Sequence, residues 1–161
     1  GGFILRGPNG TGKTLLATLL LKEAISQGYS GYFVSFHELL DSYTEGWKSD
    51  DAKYRFDSSY VGCDFLVIDE MGRTGKGRTN ITGSMFDHLM RKRISNRRPT
   101  VMTTNKTLDD LRVEFGDTVD SLMNESVLEV EVGGPDFRQA TARERTRLEV
   151  VNDTRRPVVL G

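Results

Sequence analysis

Between the apolar triplet Phe3-Ile4-Leu5 and a helix-like stretch from Lys13 to about Gln27 lies the run Gly7-Pro8-Asn9-Gly10-Thr11-Gly12-Lys13-Thr14. It satisfies G-x-x-x-x-G-K-[ST] at every required position, in the strand–loop–helix setting that the pattern needs. Glycines at 7, 10 and 12 let backbone N–H groups turn inward around phosphate oxygens with no Cβ in the way. Lys13 is a point charge placed for the outer phosphates, and the start of the following helix adds its partial positive charge. The Thr14 hydroxyl is placed for Mg²⁺. A chance glycine-rich turn does not account for the complete motif and its flanking elements. We therefore expect a P-loop that takes Mg-ATP, with Lys13 facing solvent rather than the core.

A strand that ends in such a loop belongs inside a parallel sheet, and the rest of the chain supplies one. Apolar runs at Phe3–Leu5, Tyr32–Phe36, Phe65–Ile68, Thr100–Thr104 and Val127–Val132 alternate with helical patterns, as in an α/β protein with a mostly parallel five-stranded sheet between helical layers. In the first helix Leu15, Leu16, Leu19, Leu20 and Ile25 recur at helical spacing, and Gly28 stands where a C-terminal cap belongs. Phe65–Ile68 is unbroken and apolar, as for a central strand. Met85 to Ile94 is helical. Val127–Val132 alternates with acidic residues and reads as a strand exposed on one face. Residues 1–140 are expected to form one core, and the arginine-rich residues 141–161 a short helix or frayed end. The chain opens without Met, directly on the first strand, so an upstream segment is expected to have been removed.

Composition narrows the partners. Lys and Arg total 22 against 23 Asp and Glu, so any nucleic acid must be met by local patches. The single cysteine, Cys63, cannot form an internal disulfide. No apolar run approaches the roughly 18 residues of a membrane span. A reducing, cytoplasmic setting is expected.

Asp69 and Glu70 follow the central strand. Carboxylates there emerge at the carboxyl edge, where open α/β sheets place ligands. Asp69 is placed to hold Mg²⁺ together with Thr14, and Glu70 to orient or activate water, which favours ATP hydrolysis over phosphoryl transfer to an acceptor. Asn105, closing the strand Thr100–Thr104, can hydrogen-bond the γ-phosphate or the attacking water. The plainer readings are an acidic turn and a turn-forming amide.

With these elements in order, the chain resembles the AAA+ ATPases of the DnaC/IstB family, bacterial and phage helicase loaders and transposition helper ATPases, from about Phe3 to Arg138. The resemblance rests on Phe36-His37-Glu38-Leu39-Leu40, Asp64 to Gly72, Arg98 to Asn105 and Gly134-Pro135-Asp136-Phe137-Arg138. It implies a three-layer P-loop NTPase core, Arg138 as a sensor arginine reaching the γ-phosphate of its own subunit, and self-association into a ring or helical filament. One departure stands out: Thr118 and Leu122 occupy positions where the family carries arginines, one of them the finger that completes a neighbour's site. Arg112 or the arginines at 91, 93, 97 and 98 are the candidate substitutes.

The resemblance also implies single-stranded DNA binding by the segment Tyr43 to Phe56. There Trp47 and other aromatics interleave with Lys48, Lys53 and Arg55, giving stacking faces beside cations. The alternative is that Tyr43 and Trp47 cover the core. The basic loop Gly72 to Arg78 either touches phosphates or is an ordinary solvated loop, and His37 and His88 read as structural. The function these features imply is an ATP-dependent replicative helicase loader or primosome component. A transposition helper partnering a transposase, and an ATP-gated interaction switch with little hydrolysis, are the alternatives.

Overall fold

The computed structural model describes residues 1–72, 79–116 and 127–134. Strand β1 (Gly2–Arg6) leads through the glycine loop into α1 (Lys13–Ser26). Strand β2 (Gly31–Ser35) runs directly into α2 (Phe36–Glu45). After it come α3 (Asp50–Phe56) and a π-helical turn, Asp57–Val61. Then follow β3 (Phe65–Asp69), α4 (Thr79–Ser95), β4 (Thr100–Thr104), α5 (Leu108–Phe115) and β5 (Val127–Glu131). The sheet has the order β2-β3-β4-β1-β5, and every neighbouring pair is parallel.

Alternation along the strands builds two cores. Ile4, Val34, Leu66, Ile68 and Met102 face α2, α4 and α5, while Leu5, Val67 and Val101 face α1. Right-handed crossovers explain the imbalance. The chain swings from β1 to the far edge through α1, then steps back through β3 and β4 with its remaining helices on the opposite face. Among the described residues α1 alone packs on its side, and Phe3, Phe33, Leu128 and Val130 there stay exposed.

The face that α1 buries corrects the sequence expectation. Lys13, Ala17 and Leu21 turn inward, whereas Leu15, Leu16, Leu19, Leu20 and Ile25 are exposed. Residues 13, 17 and 21 share one helical face, and the helix rotation follows from Lys13 folding back against its own loop. The second strand also ends one residue earlier than expected. The Ser35 hydroxyl accepts from Glu38 N (3.2 Å) and the Glu38 carboxylate accepts from Ser35 N (3.1 Å), so α2 starts at Phe36. Helix α4 begins at Thr79, six residues before the expected start, because its first turns are polar. Gly83 within it lets α5 approach: a Cβ there would lie 3.1 Å from Phe115 O. β5 is solvent-accessible on both faces rather than one; Glu129 and Glu131 on it pair with Arg6. No helix of the described residues is long and apolar enough to cross a membrane.

At the amino edge of the sheet Arg93 is fully buried, and among the described residues no carboxylate lies in hydrogen-bond reach of it. Its guanidinium donates to the carbonyls of Tyr60, Val61, Cys63, Asp64 and Pro99 and to the Thr100 hydroxyl. Burial lowers its pKa and raises that of the Cys63 thiol beside it. One planar fork thus ties the chain entering β3 to the chain entering β4. We expect Arg93→Met to leave those carbonyls buried and unpaired and to cost about 3 kcal/mol or more in urea unfolding. Arg93→Lys should recover only part of the loss, because a point ammonium cannot reproduce the fork. Wild-type unfolding by either variant would refute this role.

Candidate nucleotide-binding site

Three strand ends converge at the carboxyl edge. β1 lies beside β4, and β4 beside β3, so the glycine loop, Asp69-Glu70 and Asn105 become neighbours. The loop turns tightly against the sheet: Gly7 N donates to Thr104 O (3.2 Å), and a Cβ on Gly7 would stand 2.1 Å from Val132 O. Only glycine fits that approach. Gly12 enters α1 at φ 88 and offers no side-chain cap. Helices α2, α3 and α5, by contrast, are capped by Ser35, Ser49 and Thr107. The start of α1 thus carries no side-chain cap, an arrangement that suits an anion.

Lys13 is buried, at 9% exposure, not solvent-facing as expected from the sequence. Its Nζ donates to Gly7 O (2.7 Å) and Pro8 O (2.6 Å), and the Thr11 hydroxyl donates to Pro8 O (2.9 Å). These carbonyls hold the ammonium inside the curl of the loop. The Thr14 hydroxyl donates to Asp69 Oδ1 at 3.0 Å, across 55 residues of sequence. A hydroxyl and a carboxylate oxygen so placed are hard oxygen donors of the kind Mg²⁺ takes alongside phosphates. Cradle, ammonium, uncapped helix and oxygen pair together fit a magnesium-bound nucleoside triphosphate. Glu70 is exposed beside Asp69, with a left-handed φ of 58. Asn105 Nδ2 donates to Asn9 Oδ1 (3.2 Å), joining the end of β4 to the loop.

Thr103 was not singled out from the sequence. Its hydroxyl donates to Asp69 Oδ1 (2.5 Å) and accepts from Glu70 N (3.0 Å). The available signal was composition: Thr100, Thr103 and Thr104 are all buried in a strand that could have been wholly aliphatic.

The aromatic residues from Tyr43 to Phe56 separate. Phe56 is buried in the core and Tyr43 is packed against it, but Trp47 is 64% exposed, meeting Tyr43 edge-on with centroids 5.9 Å apart. Trp47 and Lys53 line a cleft of about 430 Å³ with Tyr43, Asp50 and His88. Lys48 pairs with Glu45 instead, and Arg55 lies outside the cleft lining. His88 approaches Asp57 at 3.4 Å, and His37 pairs with Asp41.

Among the candidate finger arginines, Arg93 is excluded by its burial. Arg98 donates to Val61 O, Arg91 pairs with Asp87, and Arg112 pairs with Asp109. Arg138, Thr118, Leu122, residues 73–78 of the basic loop and the proposed boundary at residue 140 lie outside the described residues.

The sequence profile of the IstB-like ATP binding protein family matches residues 2–144. The ATP-binding protein of insertion sequence IS5376 from Geobacillus stearothermophilus is 30% identical over 132 residues, 78% of this chain and 51% of that one. The replicative helicase loader DnaC of Escherichia coli (strain K12) is 25% identical over 118 residues, 73% of this chain and 47% of that one. The chain thus spans about half the length of these relatives. The replication initiator DnaA, in a structure bound to AMPPCP and single-stranded DNA, superimposes with a TM-score of 0.70 at 22% identity, covering 83% of this chain and 40% of that one, a likeness of fold. With a single family profile running through nearly the whole described fold, the chain belongs to the IstB-like ATP binding proteins.

Proposed function

We propose that this protein binds Mg-ATP at the convergence of β1, β3 and β4 and hydrolyses it to drive the loading of a ring helicase onto DNA. The observation that carries the reading is the Thr14–Asp69 contact, which joins the phosphate loop to the carboxylates of β3. Lys13 exchanges the Gly7 and Pro8 carbonyls for phosphate oxygens, and the uncapped start of α1 meets the same anion. Thr14 and Asp69 would hold Mg²⁺, which would supply positive charge against the phosphates. Glu70 orients the attacking water. Asn105 registers the γ-phosphate from its place beside Asn9.

DNA enters the reading through Trp47 and Lys53, an exposed indole and an ammonium on one cleft, which suits a single strand. The DnaA relative of this fold was captured with single-stranded DNA, which supports the same choice of ligand. A second reading, with a transposase as the partner, is favoured by the insertion-sequence relative, at 30% identity against 25% for the helicase loader. Co-purification of the full-length protein with each candidate partner, ATP present, separates the two.

Lys13→Ala should weaken binding of a fluorescent ATP analogue by about tenfold or more, since an ammonium–phosphate bond contributes about 1.5–3 kcal/mol. Equal affinity of mutant and parent would overturn the assignment. Glu70→Gln should retain nucleotide and lower turnover by about a hundredfold or more; turnover at the parent rate would give the water to another residue. Trp47→Ala should weaken oligonucleotide binding by ~1–3 kcal/mol, and the parent's affinity should fall with added salt. Indole fluorescence indifferent to oligonucleotide, with mutant affinity unaltered, would remove Trp47 from the interface.

A further inference from the structure

The ladder between β3 and β4 ends at Ile68↔Met102, yet the next three residues of the chain, Asp69, Glu70 and Met71, remain tied to β4. Thr103 O accepts from Met71 N (2.8 Å), and the Thr104 hydroxyl donates to Met71 O (2.9 Å) while accepting from Lys106 N (3.1 Å). Between these lies the Thr103 hydroxyl, on a residue 2% exposed. A buried hydroxyl must be paired, and this one is paired both ways. Its lone pair takes the N–H of Glu70, so its single proton is directed to Asp69 Oδ1.

Two features of this geometry concern hydrolysis. Glu70 is held at φ 58, a conformation that is unfavourable for a residue with a Cβ and that persists only when its surroundings enforce it. The bond from Glu70 N to Thr103 Oγ1 is part of that enforcement. Asp69 Oδ1 in turn accepts from two hydroxyls, Thr14 and Thr103. Thr14 is the one given a metal role above, so Thr103 is the hydroxyl that keeps Asp69 oriented when Thr14 is engaged elsewhere.

We propose that Thr103 is a positioning residue for ATP hydrolysis, setting the Asp69 carboxylate and the Glu70 backbone with one hydroxyl. This rests on the reading of the site as a hydrolase. Thr103→Val keeps the shape and removes the hydrogen bonds, whereas Thr103→Ser keeps the hydroxyl. In the full-length protein, Thr103→Val should lower kcat about tenfold or more and raise the Mg²⁺ concentration for half-maximal rate severalfold. Affinity for a fluorescent ATP analogue without metal should stay within about twofold, because Lys13 and the loop are untouched. Thr103→Ser should return kcat to within about threefold of the parent. A melting curve accompanies each variant, and Thr103→Ala replaces Thr103→Val if the latter fails to fold.

Parent-like kcat and Mg²⁺ dependence in a folded Thr103→Val, or a Thr103→Ser as impaired as Thr103→Val, would overturn the proposal. If the parent binds ATP and hydrolyses none, the hydrolase reading fails. A Mn²⁺ titration of the nucleotide-loaded proteins then decides the part of Thr103: weakened Mn²⁺ binding in Thr103→Val alone sustains its hold on Asp69, and equal binding ends it.

Discussion

The ammonium of Lys13 lies against the carbonyls of Gly7 and Pro8, and that contact sets the rotation of α1. Once Lys13 points into the loop, Ala17 and Leu21 must follow it inward, four and eight residues on. Ala17 is fully buried between α1 and the sheet, where its methyl permits the helix to lie close over Val67 and Val101. The packing of this half of the protein therefore follows from the placement of one charge for its ligand. The larger leucines are left outside because their face was already assigned. A helix optimised for burial alone would have turned the other way.

The same dependence reaches the far side of the site. β1 is hydrogen-bonded to β4 and β5, not to β3, so the loop and Asp69 sit on strands separated by β4. β4 must therefore be polar at its carboxyl end to bridge them. Thr103 bonds to Asp69 and Glu70, Thr104 to Met71, and Asn105 to Asn9. Three consecutive side chains thus connect to both neighbours, and an aliphatic residue at 103 or 104 would take the hydroxyl acceptor from Glu70 N or Lys106 N.

How much of this was legible in the chain depends on whether the signal was local. The loop from Gly7 to Thr14 could be read because its chemistry fixes residue types at fixed spacing, and Phe65–Ile68 because burial on both faces forbids polar residues. The inward face of α1 could not, since two apolar stripes are present and only the loop chooses between them. Helix α5 escaped notice for its shortness, although Thr107 and Asp110 form a capping box around its start. Lys13 was expected in solvent as a charge held out for phosphates; carbonyl acceptors within its own loop are a property of the folded curl. Arg93 stood among the candidate finger arginines, with nothing local to mark it as buried. Its acceptors come from the chain around residues 60–64 and from Pro99 and Thr100, and only the fold brings them together.

The two edges of the sheet are consequently built on opposite terms. At the amino edge Arg93 has its hydrogen-bonding capacity satisfied by backbone carbonyls, so that edge is closed and the strands entering it are fixed relative to one another. At the carboxyl edge the groups are paired with one another in ways that a ligand can take over. Lys13 rests on carbonyls, Thr14 on Asp69, and the start of α1 has no side-chain cap. In the reading proposed above, phosphate and metal would take the place of those contacts. Arg93 and Thr103 thus act on the same pair of strands from opposite ends, one fixing where β3 and β4 begin and the other tying the end of β4 to Asp69 and Glu70.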